Sequence, residues 1–539
     1  MMNSLFRRVR VSLILGVVSL VFCLGLRSET RSAEKTTLTS ADLVLRNGVV
    51  YDGSDQPGRK ADVAIKEGRI IAVGEITVEK ADAEIDCEGL VIAPGFIDLH
   101  NHSDNQIVDG DTRANLNFLT QGCTTIVTGN CGSGPVNVAE YYNKIDEHGA
   151  GTNVLHLLAQ GSLRNDVMAT ANRAPTDVEL AEMRRLAAQA MQDGAWGMST
   201  GLIYVPSSYA TTEELIQIAE VVSQYRGIYV SHIRDEGPEL LAAVDEALAI
   251  GRRAKLPVHI SHFKSSGQES WGLVRRASEI IEEAQKQGET VTADQYPYTA
   301  SSTSLEATLI PAWARSGGNP ELIKRLDNPA TSEKLIAEIT EKLRRKSNGE
   351  PIYLARYSAQ PEWVGKNILE IARGQNAEPL EIVLQITRSG GASVVNFGMS
   401  EEDVRYVMAL PWVATASDGR AYLPGPDRPH PRSYGTFSRK ISHYALKENV
   451  VSLEHALRSS TSLPAEIIGL KDRGWIKPDY VADIVVFDPR SFIDVATFEK
   501  PHQHSQGVKH VFVNGVAAIK NGEPTGALAG RAVRHGVVE

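Results

Sequence analysis

The segment 227–264, GIYVSHIRDEGPELLAAVDEALAIGRRAKLPVHISHFK, decides how this chain folds. It opens on one short apolar run, GIYVSHIR (227–234), and closes on another, PVHISHFK (257–264). Between them, 236–254 carries apolar residues at helical spacing. A strand, a helix and a second strand make a βα repeat of the kind that builds parallel α/β folds. Both strands run into Ser-His, so His232 and His262 occupy equivalent places in successive repeats.

The same texture extends in both directions. Short apolar runs at 96–102 (FIDLHNH), 124–131 (TTIVTGNC), 153–160 (NVLHLLAQ), 196–202 (WGMSTGL), 290–297 (TVTADQYP) and 412–419 (WVATASDG) bring the candidate strands to eight. Helical patterns such as 177–193 lie between them. Eight parallel strands with intervening helices predict a (β/α)8 TIM barrel over 96–474, with its chemistry at the C-terminal strand ends. Residues 300–411 are too many for one crossover and read as a subdomain inserted within the barrel. At either end, 41–95 and 475–530 consist of short strands with turn signals, such as ADLVLRNGVVYDG (41–53) and VKHVFVNGVAAIKNGEP (508–524). They predict one small β-sandwich domain assembled from both termini.

The chain has 539 residues, 42% hydrophobic and 23% charged, enough for one large domain and smaller units. Its formal net charge is −10 and it carries no basic stripe or RNA-binding motif, which argues against a nucleic-acid partner. The basic start MMNSLFRRVR precedes an apolar run at 11–26, VSLILGVVSLVFCLGL. That run is short for a stable membrane span and suits a signal peptide over 1–33. Export to the periplasm or beyond is expected, with no membrane association once the leader is cut and a membrane anchor if it is not.

Export changes how the cysteines read. Cys23 leaves with the leader, and the odd set Cys87, Cys123 and Cys131 remains. Cys87 alternates with apolar residues and reads as core. Cys123 and Cys131 are separated by about 26 Å of extended chain, beyond disulfide reach. Cys131, in CTTIVTGNCGSG (123–134), needs another role.

The strand ends supply one. His100 and His102, two apart on a strand, share a face. Cys131 ends the second strand, His232 and His262 end the fifth and sixth, and Asp418 ends the eighth. Thiolate and imidazole together favour zinc over magnesium or calcium, although another transition ion fits the same donors. A lone strand-end histidine is ordinarily a satisfied polar group, and Asp418 in SDG also suits a plain turn. Their coincidence at one end of a barrel, where all would meet, points instead to a metal site. The remaining histidines, His148, His156, His259, His430, His443, His455, His502, His504, His510 and His535, are expected to be mostly structural or exposed.

The segments GFIDLHNHSD, GNCGSG, GMSTGLIYVPSSYA, SHIRDE, ISHFKSSG, DQYPYTASST, SDG and HPRSYGTF resemble, in order from about 41 to 530, the D-aminoacylase (N-acyl-D-amino-acid deacylase) family of the amidohydrolase superfamily. That resemblance implies zinc-dependent hydrolysis of N-acyl-D-amino acids, a small-molecule substrate. Many two-metal amidohydrolases bridge their metals with a carboxylated lysine on the fourth strand. WGMSTGL has no lysine, and the resemblance gives the ligand place to Cys131. It implies that Cys131, His232 and His262 hold a tightly bound zinc, and that His100 and His102, sharing Cys131, form a weaker second site. Asp418 becomes the general base and acid, and Lys264, Tyr296 and Arg432 grip the substrate carboxylate. The segment LLAQGSLR departs from the family pattern, with Gln160 where relatives commonly have histidine on a strand expected to line the pocket. Relatives specialised for acidic D-amino acids carry an arginine after the YPY segment, and this chain does not, so neutral or hydrophobic side chains are expected. The alternatives are deacylation of N-acyl-D-glutamate or N-acyl-D-aspartate, D-dipeptide cleavage, cyclic amide opening, and a non-catalytic exported barrel.

Overall fold

All eight apolar segments form strands. In the computed structural model, which describes residues 35–536, they are β1 (Phe96–Asp98), β2 (Cys123–Thr128), β3 (Asn153–His156, continued by Leu158–Ala159), β4 (Gly197–Gly201), β5 (Ile228–His232), β6 (Val258–Ile260), β7 (Val291–Gln295) and β8 (Val413–Thr415). The expected leader at 1–33 lies outside the described residues. Successive strands pair in parallel from β1 to β8. The ring closes past the ends of β1 and β8, where Asp418 N donates to His100 O (2.8 Å) and His102 N to Gly419 O (2.7 Å). This is the (β/α)8 barrel that the alternation implied.

The strands are apolar on both faces because both faces are covered. Ile97, Leu99, Val127, Leu155, Leu157, Ile228, Val230, Ala414 and Ala416 form one cluster. Side chains of β5 reach those of β1, β2 and β8 only through the barrel interior. The alternate residues Ile126, Val154, Met198, Tyr229, Ile260, Ala293 and Val413 pack outward against the helices. In the helix Leu240–Ala254, the buried residues Leu240, Ala243, Val244, Ala247, Leu248 and Gly251 follow the spacing of a single stripe. That helix begins four residues later than its pattern suggested. Asp235 Oδ1 accepts from Gly237 N (2.7 Å) and Glu239 N (3.1 Å), making a turn out of 235–239.

Between β7 and β8 the chain builds a three-stranded antiparallel sheet from Ser301–Ser304, Ile352–Arg356 and Ser393–Asn396. Helices cover it around a separate core that includes Leu309, Leu335, Ile339, Trp363 and Ile386. The helix Glu401–Met408 already packs with the barrel core through Val404, Val407 and Met408. The N-terminal strands Lys35–Val50, Arg59–Lys66, Arg69–Asp86 and Val91–Pro94 share one sheet with the C-terminal strands Ile484–Phe487, Val508–Val513, Val516–Lys520 and Glu523–Pro524. Antiparallel pairing of Val91–Pro94 with Ile484–Phe487 joins the two ends. No helix among the described residues is long and apolar enough to cross a membrane.

Candidate metal centre and active site

Cys131 does not lie on β2 but in the tight turn that follows it. Gly129 (φ 78°), Cys131 (φ 51°) and Gly132 (φ 69°) all adopt left-handed backbone, which the flanking glycines permit without strain and Cys131 does not. His262 (φ 37°) and Asp418 (φ 49°) leave their strands in the same region. At three places the chain bends sharply off the barrel rim and turns its side chain inward.

Neighbouring backbone fixes the Cys131 turn. Ser199 Oγ accepts from Gly132 N (3.0 Å) and donates to Gly129 O, while Asp104 Oδ1 accepts from Gly129 N (2.7 Å). Asn130 Nδ2 donates to Leu99 O (3.1 Å) and Val127 O (2.9 Å). Gly201 and Gly161 make room for it: a Cβ on Gly201 would stand 2.1 Å from Cys131 O, and one on Gly161 2.6 Å from Gly132 O.

Around this turn the expected ligands meet. Cys131 Sγ lies 3.3 Å from His100 Nε2, 3.6 Å from His232 Nδ1 and 3.7 Å from His262 Nε2. His102 Nε2 lies 3.0 Å and His100 Nε2 3.6 Å from Asp418 Oδ1. The sets His100–Cys131–His262 and His100–His102–Asp418 each bring their ligand atoms within 4.8 Å of one another. A thiolate and several imidazoles, buried and facing each other without backbone between them, are a donor set suited to zinc. Carboxylates stand behind two of the rings. Glu236 Oε1 lies 2.8 Å from His262 Nδ1, a contact of the kind that fixes ring orientation in metal sites, and Asp294 Oδ2 approaches His100 Nδ1 to 3.5 Å, without a hydrogen bond.

Burial alone would push the Cys131 thiol up, but the adjacent His100, with hydrogen bonds from His100, His102 and His232, holds it well below the usual range. Burial likewise opposes the Asp418 carboxylate. The Arg432 charge and His102 outweigh it and keep Asp418 ionised. His102 is carried up to about 9, against the pull of burial, by Asp418 and Cys131.

Of the three residues expected at the substrate carboxylate, Arg432 places Nη1 2.7 Å from Asp418 Oδ2 and stacks 4.7 Å above the Tyr296 ring. Lys264 Nζ is bonded to Glu236 Oε1 (2.5 Å) and His262 O (2.9 Å). The Tyr296 hydroxyl is buried with no partner among the described residues. A cavity of about 960 Å³ opens over the strand ends, lined by His102, Cys131, Asp418, Arg432, Ser302 and Arg356 among others. Lys264 and Tyr296 lie behind its wall, around a small internal void. Gln160 does not line the cavity, contrary to expectation: it is fully buried, because β3 gives way to a helix at that residue.

Glu236 and Asp294 escaped the sequence reading, while His259, expected among the structural or exposed histidines, is a buried partner of Asp294. His259 Nε2 lies 2.9 Å from Asp294 Oδ2, and Asp294 Oδ1 accepts from His262 N (2.7 Å). A carboxylate between Val291 and Ala293 on one side and Gln295 on the other, in an otherwise buried strand, was the available signal for Asp294. Glu236 had none beyond its place in SHIRDE. Cys87, Cys123 and Cys131 are all free thiols.

The chain is similar to known proteins over most of its length. The model of the "Amidohydrolase family" matches residues 83–519. The chain is 35% identical over 513 residues to a D-aminoacylase of Alcaligenes xylosoxydans xylosoxydans, covering 91% of this chain and 97% of that one. It is 32% identical over 521 residues to an N-acyl-D-aspartate deacylase of the same organism, covering 92% and 95%. A crystal structure of D-aminoacylase superposes with a TM-score of 0.80 at 32% identity, covering 92% of this chain and all of that one. An N-acyl-D-glutamate deacylase from Bordetella bronchiseptica, complexed with zinc and a phosphonate mimic of the tetrahedral intermediate, superposes with a TM-score of 0.78 at 30% identity over 92% and 100%.

Proposed function

The chain belongs to the D-aminoacylase group of the amidohydrolase family, and we propose that it hydrolyses N-acyl-D-amino acids with neutral or hydrophobic side chains to a carboxylate and a free D-amino acid. The observation that carries this reading is the meeting of Cys131, His232, His262, His100 and His102 with Asp418 at one end of the barrel. Cys131, His232 and His262 would hold a tightly bound zinc, and His100 and His102 a second, weaker one. When bound, zinc supplies an activated water and polarises the acyl carbonyl.

Asp418 does the proton work. With Oδ2 facing Arg432 and Oδ1 facing the metal-site residue His102, the carboxylate takes the water proton and returns it to the leaving amine. Arg432 keeps Asp418 ionised before the first step, ready to accept that proton. The substrate's α-carboxylate is placed at Arg432, which lines the cavity and can offer it a charge-assisted hydrogen bond, while Lys264 and Tyr296, expected to share that grip, lie behind the wall. The Tyr296 ring faces both cations, Lys264 at 5.6 Å and Arg432 at 4.7 Å, and supports the Arg432 guanidinium from behind. Anchoring the carboxylate there and the amide at the metal leaves one direction for a D side chain. Small, neutral Ser302 and Thr303 on the cavity wall suit an uncharged one.

One observation favours a second reading: Arg356, exposed on the same wall, would suit an acidic side chain. The test is hydrolysis of N-acetyl-D-methionine, N-acetyl-L-methionine and N-acetyl-D-glutamate by the zinc-loaded protein. Release of D-methionine alone, lost in Asp418→Asn, is expected. Release of D-glutamate alone would transfer the assignment to the second reading, and release of neither would refute both. We further propose, from the basic start and the apolar run at 11–26, that residues 1–33 are a signal peptide and the enzyme works outside the cytoplasm. N-terminal sequencing of exported protein should begin near residue 34, and an intact Met1 in the cytosol would overturn it.

A further inference from the structure

We propose that Gln160 is a positioning residue for the Cys131 turn, acting through Ser207. The inference rests on the reading of Cys131 as a metal ligand. Gln160 is fully buried behind the cavity wall, so it does not touch a substrate. Its Nε2 donates to Glu214 Oε1 (3.3 Å), and its Oε1 accepts from Ser207 Oγ (2.5 Å). Ser207 Oγ also faces Gly201 N at 3.4 Å and lies 3.3 Å from where a Gly132 Cβ would stand. Gly132 follows Cys131, and Gly201 abuts Cys131 O. The far end of this chain of contacts is anchored. Arg164 Nε bonds Glu214 Oε1 (3.0 Å), and the other Arg164 nitrogens donate to Ala171 O (3.0 Å) and Arg173 O (2.6 Å).

The polarity of this relay is settled by its end. A Glu214 carboxylate only accepts, so the Gln160 amide must turn its NH2 toward Glu214 and its oxygen toward Ser207. Ser207 then donates to Gln160 and keeps its lone pairs for Gly201 N–H. A carboxamide presents one donor and one acceptor at every pH. An imidazole at this place can do the same in one neutral tautomer. With alanine there, Ser207 loses its acceptor and is free to rotate, and the turn that aims the Cys131 sulfur loses a brace.

The test is cobalt(II) loading of the whole protein, read by the thiolate-to-cobalt absorption band and by affinity in competition with a chelator. Gln160→Ala is expected to bind about 10–100-fold more weakly with a displaced band, the scale typical of partners that orient ligands. Gln160→His at pH 8 should stay within about threefold of the parent. Ser207→Ala should reproduce the alanine effect, and the double variant should be no worse than either single one, since all act through one link. If Gln160→Ala does not fold, Ser207→Ala carries the test alone. Affinity within about twofold of the parent and an unchanged band in the alanine variants would overturn the proposal. A parent band that Cys131→Ser does not abolish would refute the ligand reading and this inference with it. A band that Cys131→Ser abolishes and the alanine variants leave untouched refutes this inference alone.

Discussion

Replacing Gly201 with alanine tests whether the Cys131 turn is placed by backbone contact with β4. The new Cβ would stand 2.1 Å from Cys131 O, against the 3.0 Å below which real Cβ atoms essentially never come. Either the turn or the strand must therefore retreat by about 0.9 Å. Overpacking of this kind costs about 1–3 kcal/mol of stability, and a displacement near 1 Å at reacting groups costs about 10²-fold in rate. Gly197, on the same strand, is the internal control. Its Cβ would meet Ile228 O, also at 2.1 Å, so it strains the barrel equally but four residues below the site. Gly201→Ala and Gly197→Ala should lower the denaturant midpoint alike, while only Gly201→Ala weakens zinc retention and lowers kcat/KM about 100-fold. Equal losses in both variants, or near-parental kcat/KM in Gly201→Ala, would refute the argument that this contact aims the cysteine.

Asp418→Asn should lower kcat about 10²–10⁴-fold, the usual worth of a positioned acid–base group, with zinc content at the tight site unchanged by elemental analysis. Arg432→Lys keeps the charge but loses the two-pronged hold on Asp418 Oδ2 (2.7 Å) and Ser302 O (3.3 Å). KM should rise about 10–100-fold, by steady-state kinetics, as one charge-assisted bond is lost. Lys440, buried after β8, donates to Met408 O (3.1 Å), and burial pulls its pKa from 10.5 down to about 7. Between those values the unfolded chain holds a proton that the folded chain lacks, so this group makes stability rise with pH by up to ~1.4 kcal/mol per unit. Lys440→Met removes that penalty. His455 Nε2 still satisfies Met408 O (2.9 Å), so the denaturant midpoint should rise most at pH 6.5 and the gain should shrink toward pH 10. Equal gains at both pH values would refute it.

The barrel and most of its metal-binding end were legible in the sequence because they depend on local pattern. A strand covered on both faces is mostly apolar, as in Ile228–His232, and the candidate ligands stand at or just past the ends of such runs. The reading found Cys131, His100, His102, His232, His262 and Asp418 by that position. What it could not give was direction. Cys131 was assigned to a strand end and sits in a left-handed turn, aimed by Ser199, Asp104 and the bare faces of Gly161 and Gly201, each 27 or more residues from Cys131 along the chain. Gln160 was expected at the pocket and is buried, because the register at which β3 yields to helix is set by packing against β4 and the 131–132 turn. Glu236 and Asp294 look like ordinary charged residues until the barrel closes and sets Glu236 against His262 and Lys264, and Asp294 against His259 and His262. Sequence alone thus determined which residues this protein has available for chemistry, since apolar periodicity is a property of neighbours along the chain. Only the tertiary structure decided which atoms of those residues face one another, because that depends on contacts between segments whose separation no local pattern encodes.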